Sequence, residues 1–307
     1  MEILPYDEVD PDAVVWLNRL GLGYEFPTSS LRKVRRVDPR LAKEFAWYAV
    51  EGGRPVSQVG YLLYPVRTAE GREIVGVPEA VCSLPGASGR GHARALMEHV
   101  HSRLREHGAR FSFLTTSRFR GAYRLYRSLG YEDLVRIRVA YGRLRGAVVP
   151  GLRVRKAVGR DAAAFHRAFA AHTRDALGFT ERPRDFVAIR TAWEDVKPGE
   201  IWTLSSRGHV VGYAWCERKN PTHVRELVAT DGNPLAWART LATGHDVSIV
   251  LSPRAAPGPY QTAGLQVAES WSVLMVKDLL ARTKTQEIRV LFGVDAGRFE
   301  SLAFDLW

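Results

Sequence analysis

The stretch Glu79 to Leu96 (EAVCSLPGASGRGHARAL) most constrains how this chain folds. It predicts a β-strand, a Pro-Gly turn and a glycine-containing loop that opens an amphipathic helix. The first N–H groups of a helix have no partner within the helix, and the helix dipole places partial positive charge there. Gly89 and Gly91 let a ligand approach this backbone closely, and Arg90 and Arg94 add positive charge. The stretch therefore predicts a binding site for a phosphate or pyrophosphate.

Length and composition limit the classes of protein to which the chain belongs. It has 307 residues, more than one hydrophobic core usually serves, and 46% of them are hydrophobic. Two globular domains are therefore expected. No apolar run approaches the roughly 20 residues that span a bilayer, and the acidic N-terminus lacks the order of a signal peptide. We expect a cytoplasmic protein that makes no membrane contact.

The distribution of charged residues and of potential metal ligands indicates which partners and ions the protein is expected to bind. The formal net charge of +11 is spread along the chain, and no nucleic-acid-binding motif accompanies it, so a nucleic-acid partner is not expected. Cys82 and Cys216 are far apart and form no ligand pattern, which predicts no metal site. His99, His101 and His107 are interpreted as the polar face of the helix that begins near Gly91.

The predicted elements occur in a similar order twice. Residues 1–146 read as a strand, two helices, an antiparallel three-strand meander and then helix, strand, helix, strand. Residues 151–307 repeat much of this order after the linker GAVVPG, and end in an extension from about 283 that contains a strand at Glu287 to Val294. The pattern predicts an α/β (α+β mixed sheet) fold of two tandem domains, each with a mixed central sheet flanked by helices.

The first copy resembles the GNAT superfamily of N-acetyltransferases. Val81 to Pro85 followed by Ser88 to Ala93 (SGRGHA) is similar to the acetyl-CoA motif of that family, which is a strand, a proline and then Arg/Gln-x-x-Gly-x-Gly/Ala. Leu125 to Tyr131 (LYRSLGY) resembles its later Leu-Tyr-x-x-x-Gly-Phe/Tyr segment. Two departures are that Ser88 replaces the Arg or Gln and that Phe119 stands where an Asn is common.

The resemblance implies an N-acyltransferase that moves the acetyl group of acetyl-CoA, its co-substrate, to a primary amine of a small molecule or peptide. No metal is implied. The backbone of Val81, Cys82 and Ser83 would hold the pantetheine arm. The residues implied to bind the pyrophosphate are Ser88, Gly89, Arg90, Gly91, His92 and Ala93.

Two side chains are candidates for proton transfer. Tyr126 matches the family's general acid, because a phenol is able to protonate the leaving thiolate. Glu79 is the candidate general base or water relay. Water alone and the terminal carboxylate of Trp307 are alternatives, since a chain terminus reaches the active site in relatives of the enhanced-intracellular-survival type.

The second copy keeps only part of the pattern, as it does in mycothiol synthases and survival-type acetyltransferases with one working copy. Tyr260 to Leu265 (YQTAGL) echoes the later segment, but the loop is lost, and Asp231 would repel a pyrophosphate. We expect this copy to cover the first domain and to shape the acceptor pocket. A non-catalytic acetyl-CoA-binding or regulatory protein is the alternative function, and both monomer and homodimer remain open.

Overall fold

A computed structural model describes residues 1–144, 147–197 and 199–303 of the chain. These residues form a mixed sheet flanked by helices, so the predicted α/β class is confirmed. The strands are β1 Glu2–Pro5, β2 Ala46–Glu51, β3 Arg54–Thr68, β4 Gly71–Ser83, β5 Phe111–Ser117, β6 Glu132–Gly142, β7 Leu152–Lys156, β8 Leu177–Gly178, β9 Ile201–Ser206, β10 His209–Glu217, β11 Thr222–Ala229, β12 Val247–Leu251, β13 Gln266–Asp278 and β14 Phe299–Glu300. The α-helices are α1 Pro11–Leu22, α2 Thr28–Val37, α3 His92–Glu106, α4 Gly121–Ser128, α5 Ala162–His172, α6 Phe186–Ala192, α7 Pro234–Leu241, α8 Gly258–Thr262 and α9 Thr285–Leu291. None of the helices in this described part is long and apolar enough to pass through a bilayer.

The sheet repeats one arrangement of strands in its two halves. Its order is β1-β2-β3-β4-β5-β13-β6-β12-β11-β10-β9-β7. The meander of β2, β3 and β4 is antiparallel, and β4 then runs parallel to β5. In the second half β9, β10 and β11 form a similar meander, and β11 runs parallel to β12.

One long strand of the second half lies within the sheet of the first half. Strand β13 pairs with β5 on one side and with β6 on the other, so that Val276 is opposite both Phe113 and Glu132. Strand β6 in turn pairs with β12, where Ala140 is opposite Ile249. The two halves therefore share one continuous sheet, and removing the second half would leave β5 with an unpaired edge.

Both faces of the sheet are covered where β2 crosses the first half. Trp47 and Ala49 belong to a buried cluster with residues of α3. Tyr48 and Val50, which point to the opposite face, belong to a cluster with residues of α1 and α2. Helix α3 and the pair α1–α2 therefore lie on opposite faces of the sheet.

The predicted strand at Glu287 to Val294 is wrong, because this segment contains helix α9. The backbone N–H of Lys284 donates to Glu287 Oε2 at 2.9 Å, which stabilises the start of the helix. Ile288, Leu291 and Phe292 recur at helical spacing and pack into the core against β3, β4 and β5. The sequence therefore contained the spacing of three and four residues between apolar side chains that indicates a helix.

The interpretation of His101 as part of the polar face of α3 is also wrong. His101 is 2% exposed, and its Nε2 lies 2.9 Å from the hydroxyl of Tyr131, which lies 2.6 Å from Ser112 Oγ. Burial, together with the charge of Lys277, lowers the pKa of His101 to about 3. Four residues after Met97, His101 falls on the buried face, where Tyr131 satisfies its ring nitrogen.

Candidate active site

A bulge in β4 shapes the backbone at the centre of the site. Gln58 is opposite Cys82 and Gly60 is opposite Glu79, so β4 carries one residue more than β3 between these pairs. Ala80, within the bulge, has a φ of 51°, which is uncommon for a residue with a side chain. Its carbonyl accepts a hydrogen bond from Gln58 Nε2 at 3.1 Å. The bulge turns the backbone of β4 away from regular pairing at this point.

A gap in the sheet opens next to the bulge. Strands β4 and β5 pair only where Val75 is opposite Phe111 and Gly76 is opposite Ser112. Beyond these pairs the two strands separate, so the edge of β4 at Val81 to Ser83 has no strand partner on the β5 side among the described residues. Backbone groups along such an edge are available to an extended ligand.

The start of α3 has the form of an anion site. Gly89 and Gly91 have φ values of 78° and 85°, and a Cβ at either position would meet no atom within 4 Å. Gly91 is the N-cap residue, and no side chain caps the helix. Within the described residues, no backbone carbonyl accepts from the N–H groups of Gly89, Arg90 or Gly91. Unpartnered N–H groups at a helix start attract anions such as a phosphate.

The basic side chains near this loop already have partners. Arg90 and His92 both contact Glu51, with nitrogen–oxygen distances of 2.8 Å and 2.9 Å. Arg94 Nη2 donates to Ser128 Oγ at 2.6 Å. The backbone and the helix dipole therefore make the site attractive to an anion more than free cationic side chains do. His92 is 3% exposed, so its ring is not open to a ligand.

Tyr126 lies on α4, on the α3 side of the sheet. Its side chain is 6% exposed and packs against Tyr131 with the ring centroids 5.9 Å apart. No described residue makes a hydrogen bond with its hydroxyl. Burial raises the pKa of Tyr126 to about 12, so the phenol is protonated at neutral pH.

Glu79 is the carboxylate beside the bulge. No hydrogen bond or ion pair to its side chain is found among the described residues. Burial raises the pKa of Glu79 to about 7, although the positive charges of Arg190 and Arg40 act in the opposite direction. A carboxylate with this pKa is poised to accept a proton near neutral pH.

Glu79, Val81 and Tyr126 line one cavity of about 770 Å³. Its wall also includes Val14 and Leu31, which belong to the cluster of α1 and α2 on the other face of the sheet. Since Tyr126 belongs to the cluster of α3, the cavity passes through the gap between β4 and β5. The loop Ser88 to Ala93 lies outside the cavity wall.

Residues of the second half also line this cavity. The sequence motifs did not predict which residues these are. Arg190, Trp193, Glu194 and Asp195, from α6 and the turn after it, line the wall. The indole N–H of Trp193 donates to Asp38 Oδ2 at 2.7 Å, and this bond ties α6 to the first half. The sequence offered no local signal for these positions, because they follow no motif and come close to Glu79 only through the fold. The Trp307 carboxylate lies outside the described residues.

Residues 5–133 match a family model described as an acetyltransferase (GNAT) domain. This match covers the bulge, the loop before α3 and Tyr126. The chain contains a GNAT acetyltransferase domain. Over residues 5–133, the predicted similarity to the GNAT superfamily and the predicted acyltransferase class are confirmed. Among proteins of curated function, none matches the sequence significantly.

Solved structures share the fold of nearly the whole chain. A GCN5-related N-acetyltransferase from Kribbella flavida is 21% identical with a TM-score of 0.64, and the match covers 90% of this chain and 70% of that one. Eis1 from Mycobacterium abscessus is 14% identical with a TM-score of 0.60, covering 91% and 74%. A tandem GNAT protein from the clavulanic acid biosynthesis pathway is 13% identical with a TM-score of 0.53, covering 91% and 98%. The fold of both halves of this chain is therefore shared with these structures.

Proposed function

We propose that this GNAT protein transfers the acetyl group of acetyl-CoA directly to a primary amine, with Glu79 as general base and Tyr126 as general acid. The observation that carries the proposal is that both side chains line one cavity and that neither is hydrogen-bonded to a described residue. Acetyl-CoA supplies the thioester carbon that the amine attacks. The backbone of Val81, Cys82 and Ser83 would hold the pantetheine arm along the open edge of β4.

The backbone N–H groups from Gly89 to Ala93 would bind the pyrophosphate. Their open position before α3 supports this role, as does the absence of a capping side chain. Binding at this loop and along β4 would fix the thioester beside the bulge, so that the reaction gains from orientation.

Glu79 would remove a proton from the attacking ammonium group. The amine nitrogen forms a bond to the carbonyl carbon only as a free base, and the proton passes to the carboxylate directly or through water. When the tetrahedral intermediate collapses, the carbon–sulfur bond breaks and its electron pair leaves with the sulfur, while the nitrogen loses its second proton to water.

Tyr126 would then give its proton to that sulfur. A phenol with a pKa near 12 is a weak acid, but the same surroundings also make a thiolate more basic. Burial raises the pKa of the Cys82 thiol, which packs in the cluster of α1 and α2, to about 12, and this illustrates the effect of burial on a thiol. Burial would therefore raise the pKa of both the acid and its acceptor.

A Glu79→Gln variant tests the proposal. Release of free CoA thiol and formation of acetylated amine are measured with acetyl-CoA and a panel of primary amines. In the native protein, kcat/KM should rise with pH through about 7, because Glu79 must lose its proton before it accepts one. In Glu79→Gln, kcat/KM should fall by about 100-fold and lose this rise.

Glu25→Gln is the matched control. Glu25 also lines the cavity, but it is paired with Arg19, so its removal should leave the pH profile unchanged. An unchanged profile in Glu79→Gln would remove Glu79 from the mechanism. If no amine releases CoA from a protein that binds acetyl-CoA, the proposed function is wrong.

A further inference from the structure

We infer that the acceptor is a monoamine with an apolar or aromatic body, which lies between α1, α2 and β2 while its single amino group meets Glu79. This inference rests on the proposed function and names its acceptor class. It depends on which residues form the cavity wall on the side of the sheet opposite Tyr126 and on how the charges of that wall are paired.

The wall on this side of the sheet is largely apolar. We call this region the acceptor chamber, and it is lined by Val14, Val15, Leu22, Phe26, Leu31 and Leu41. The aromatic rings of Phe45, Tyr48 and Trp193 complete it. Phe26 and Trp193 stack with their ring centroids 5.4 Å apart, and they belong to different halves of the chain. An apolar part of a ligand that fills this chamber makes binding more favourable, because it buries apolar surface.

The carboxylates of the wall differ in whether they have a hydrogen bond or an ion pair. Glu25 is paired with Arg19, and Glu194 accepts a hydrogen bond from Ser30 Oγ. Asp195 forms an ion pair with Arg190, in which Asp195 Oδ2 lies 3.3 Å from Arg190 Nη1. Of the carboxylates in the described part of the wall, Glu79 alone has neither a hydrogen bond nor an ion pair. The chamber thus offers one unpaired carboxylate, at the point where an amine must arrive for attack.

A single unpaired carboxylate discriminates between classes of amine. A monoamine brings one charge, which Glu79 receives, and an apolar body, which the chamber receives. A polyamine would bring further ammonium groups into an apolar region, where an unpaired charge is costly. Arg120, on the Tyr126 side of the gap, has no described side-chain partner and would repel such groups at that side. The wall therefore favours a hydrophobic monoamine.

The test compares 2-phenylethylamine, ethylamine and spermine as acceptors for the native chain. We expect kcat/KM for 2-phenylethylamine to exceed that for ethylamine by at least tenfold, because the phenyl ring occupies the chamber. Spermine should react more slowly than 2-phenylethylamine. A preference for spermine, or equal kcat/KM for the two monoamines, would overturn the inference while the proposed function stands. If 2-phenylethylamine is not acetylated while another amine of the panel is, the inference alone fails, and if no amine of the panel releases CoA, the proposed function fails as well.

Two variants locate the effect in the chamber. Val15→Trp should fill it and raise the KM for 2-phenylethylamine at least tenfold, with a smaller rise in the KM for ethylamine, which occupies less of the chamber. Phe26→Ala should raise the same KM by removing a ring from the wall. Trp16→Ala is the control, because Trp16 neighbours Val15 on α1 but is 57% exposed and lies outside the wall. A fall in the ethylamine rate equal to that with 2-phenylethylamine would contradict the placement.

Discussion

The two halves of the molecule differ most at the helix that follows their parallel strand pair. Helix α3 begins at Gly91 without a capping side chain, and the loop before it is open. Helix α7 begins after Asn233, whose Oδ1 accepts from the N–H of Leu235 at 2.8 Å. Pro234, the first residue of α7, has no N–H to offer. One helix start is therefore free for a ligand, and the other is satisfied by the chain itself.

The loop before α7 is closed by a tryptophan as well. The indole N–H of Trp237 donates to the carbonyl of Asp231 at 2.8 Å. A Cβ at Gly232 would lie 2.9 Å from the same indole nitrogen, so the loop wraps tightly around the ring. The two halves thus keep a similar order of strands and helices while a few capping residues close the second helix start. The second half instead contributes α6 and the turn after it to the wall of the first half's cavity.

The largest difference in kcat is expected between variants of Tyr126 and Tyr260, the two tyrosines of the repeated segment. Tyr126→Phe should lower kcat by about 100-fold or more, because it removes the proposed general acid. Tyr260→Phe, the corresponding change on α8, should leave kcat within about twofold. Steady-state CoA release from both variants measures the difference. Equal activity of the two variants would mean that the asymmetry between the halves does not extend to proton transfer.

The variant Gly91→Asp places a negative charge before α3, as Asp231 does before α7. Gly91→Asp should raise the KM for acetyl-CoA about 30-fold or more, since two like charges a few ångströms apart repel by about 2–4 kcal/mol at a protein surface. Gly91→Asn is the matched control, because Asn has the same shape and tolerates the positive φ about as well. If both variants raise the KM equally, backbone strain and not charge is responsible.

The smallest effect is expected at the cap of α7. Asn233→Ala should lower the free energy of unfolding by about 1 kcal/mol, because the N–H of Leu235 loses its acceptor. Urea unfolding measures this change, and the KM for acetyl-CoA serves as the second readout. We expect that KM to remain unchanged. A change in acetyl-CoA binding would show that the α7 start is coupled to the site in the first half.

Local patterns predicted most of the first half. The Pro-Gly turn, the two loop glycines and the stripe of Leu96, Met97 and Val100 are signals contained within a few residues, and each led to the correct element. His101 was misplaced because its polarity was given more weight than its spacing from Met97. A buried Tyr131, thirty residues away, is what makes that position tolerable.

The sequence by itself determined the GNAT fold class, the open start of α3 and the identity of Tyr126 and Glu79 as candidates. These follow from short-range rules of turns, caps and periodicity, and from a motif. The tertiary structure decided the insertion of β13 beside β5, the passage of the cavity through the sheet and the presence of α6 in its wall. It also decided the pKa of Glu79, because burial and the charge of Arg190 arise from segments more than one hundred residues apart in the chain.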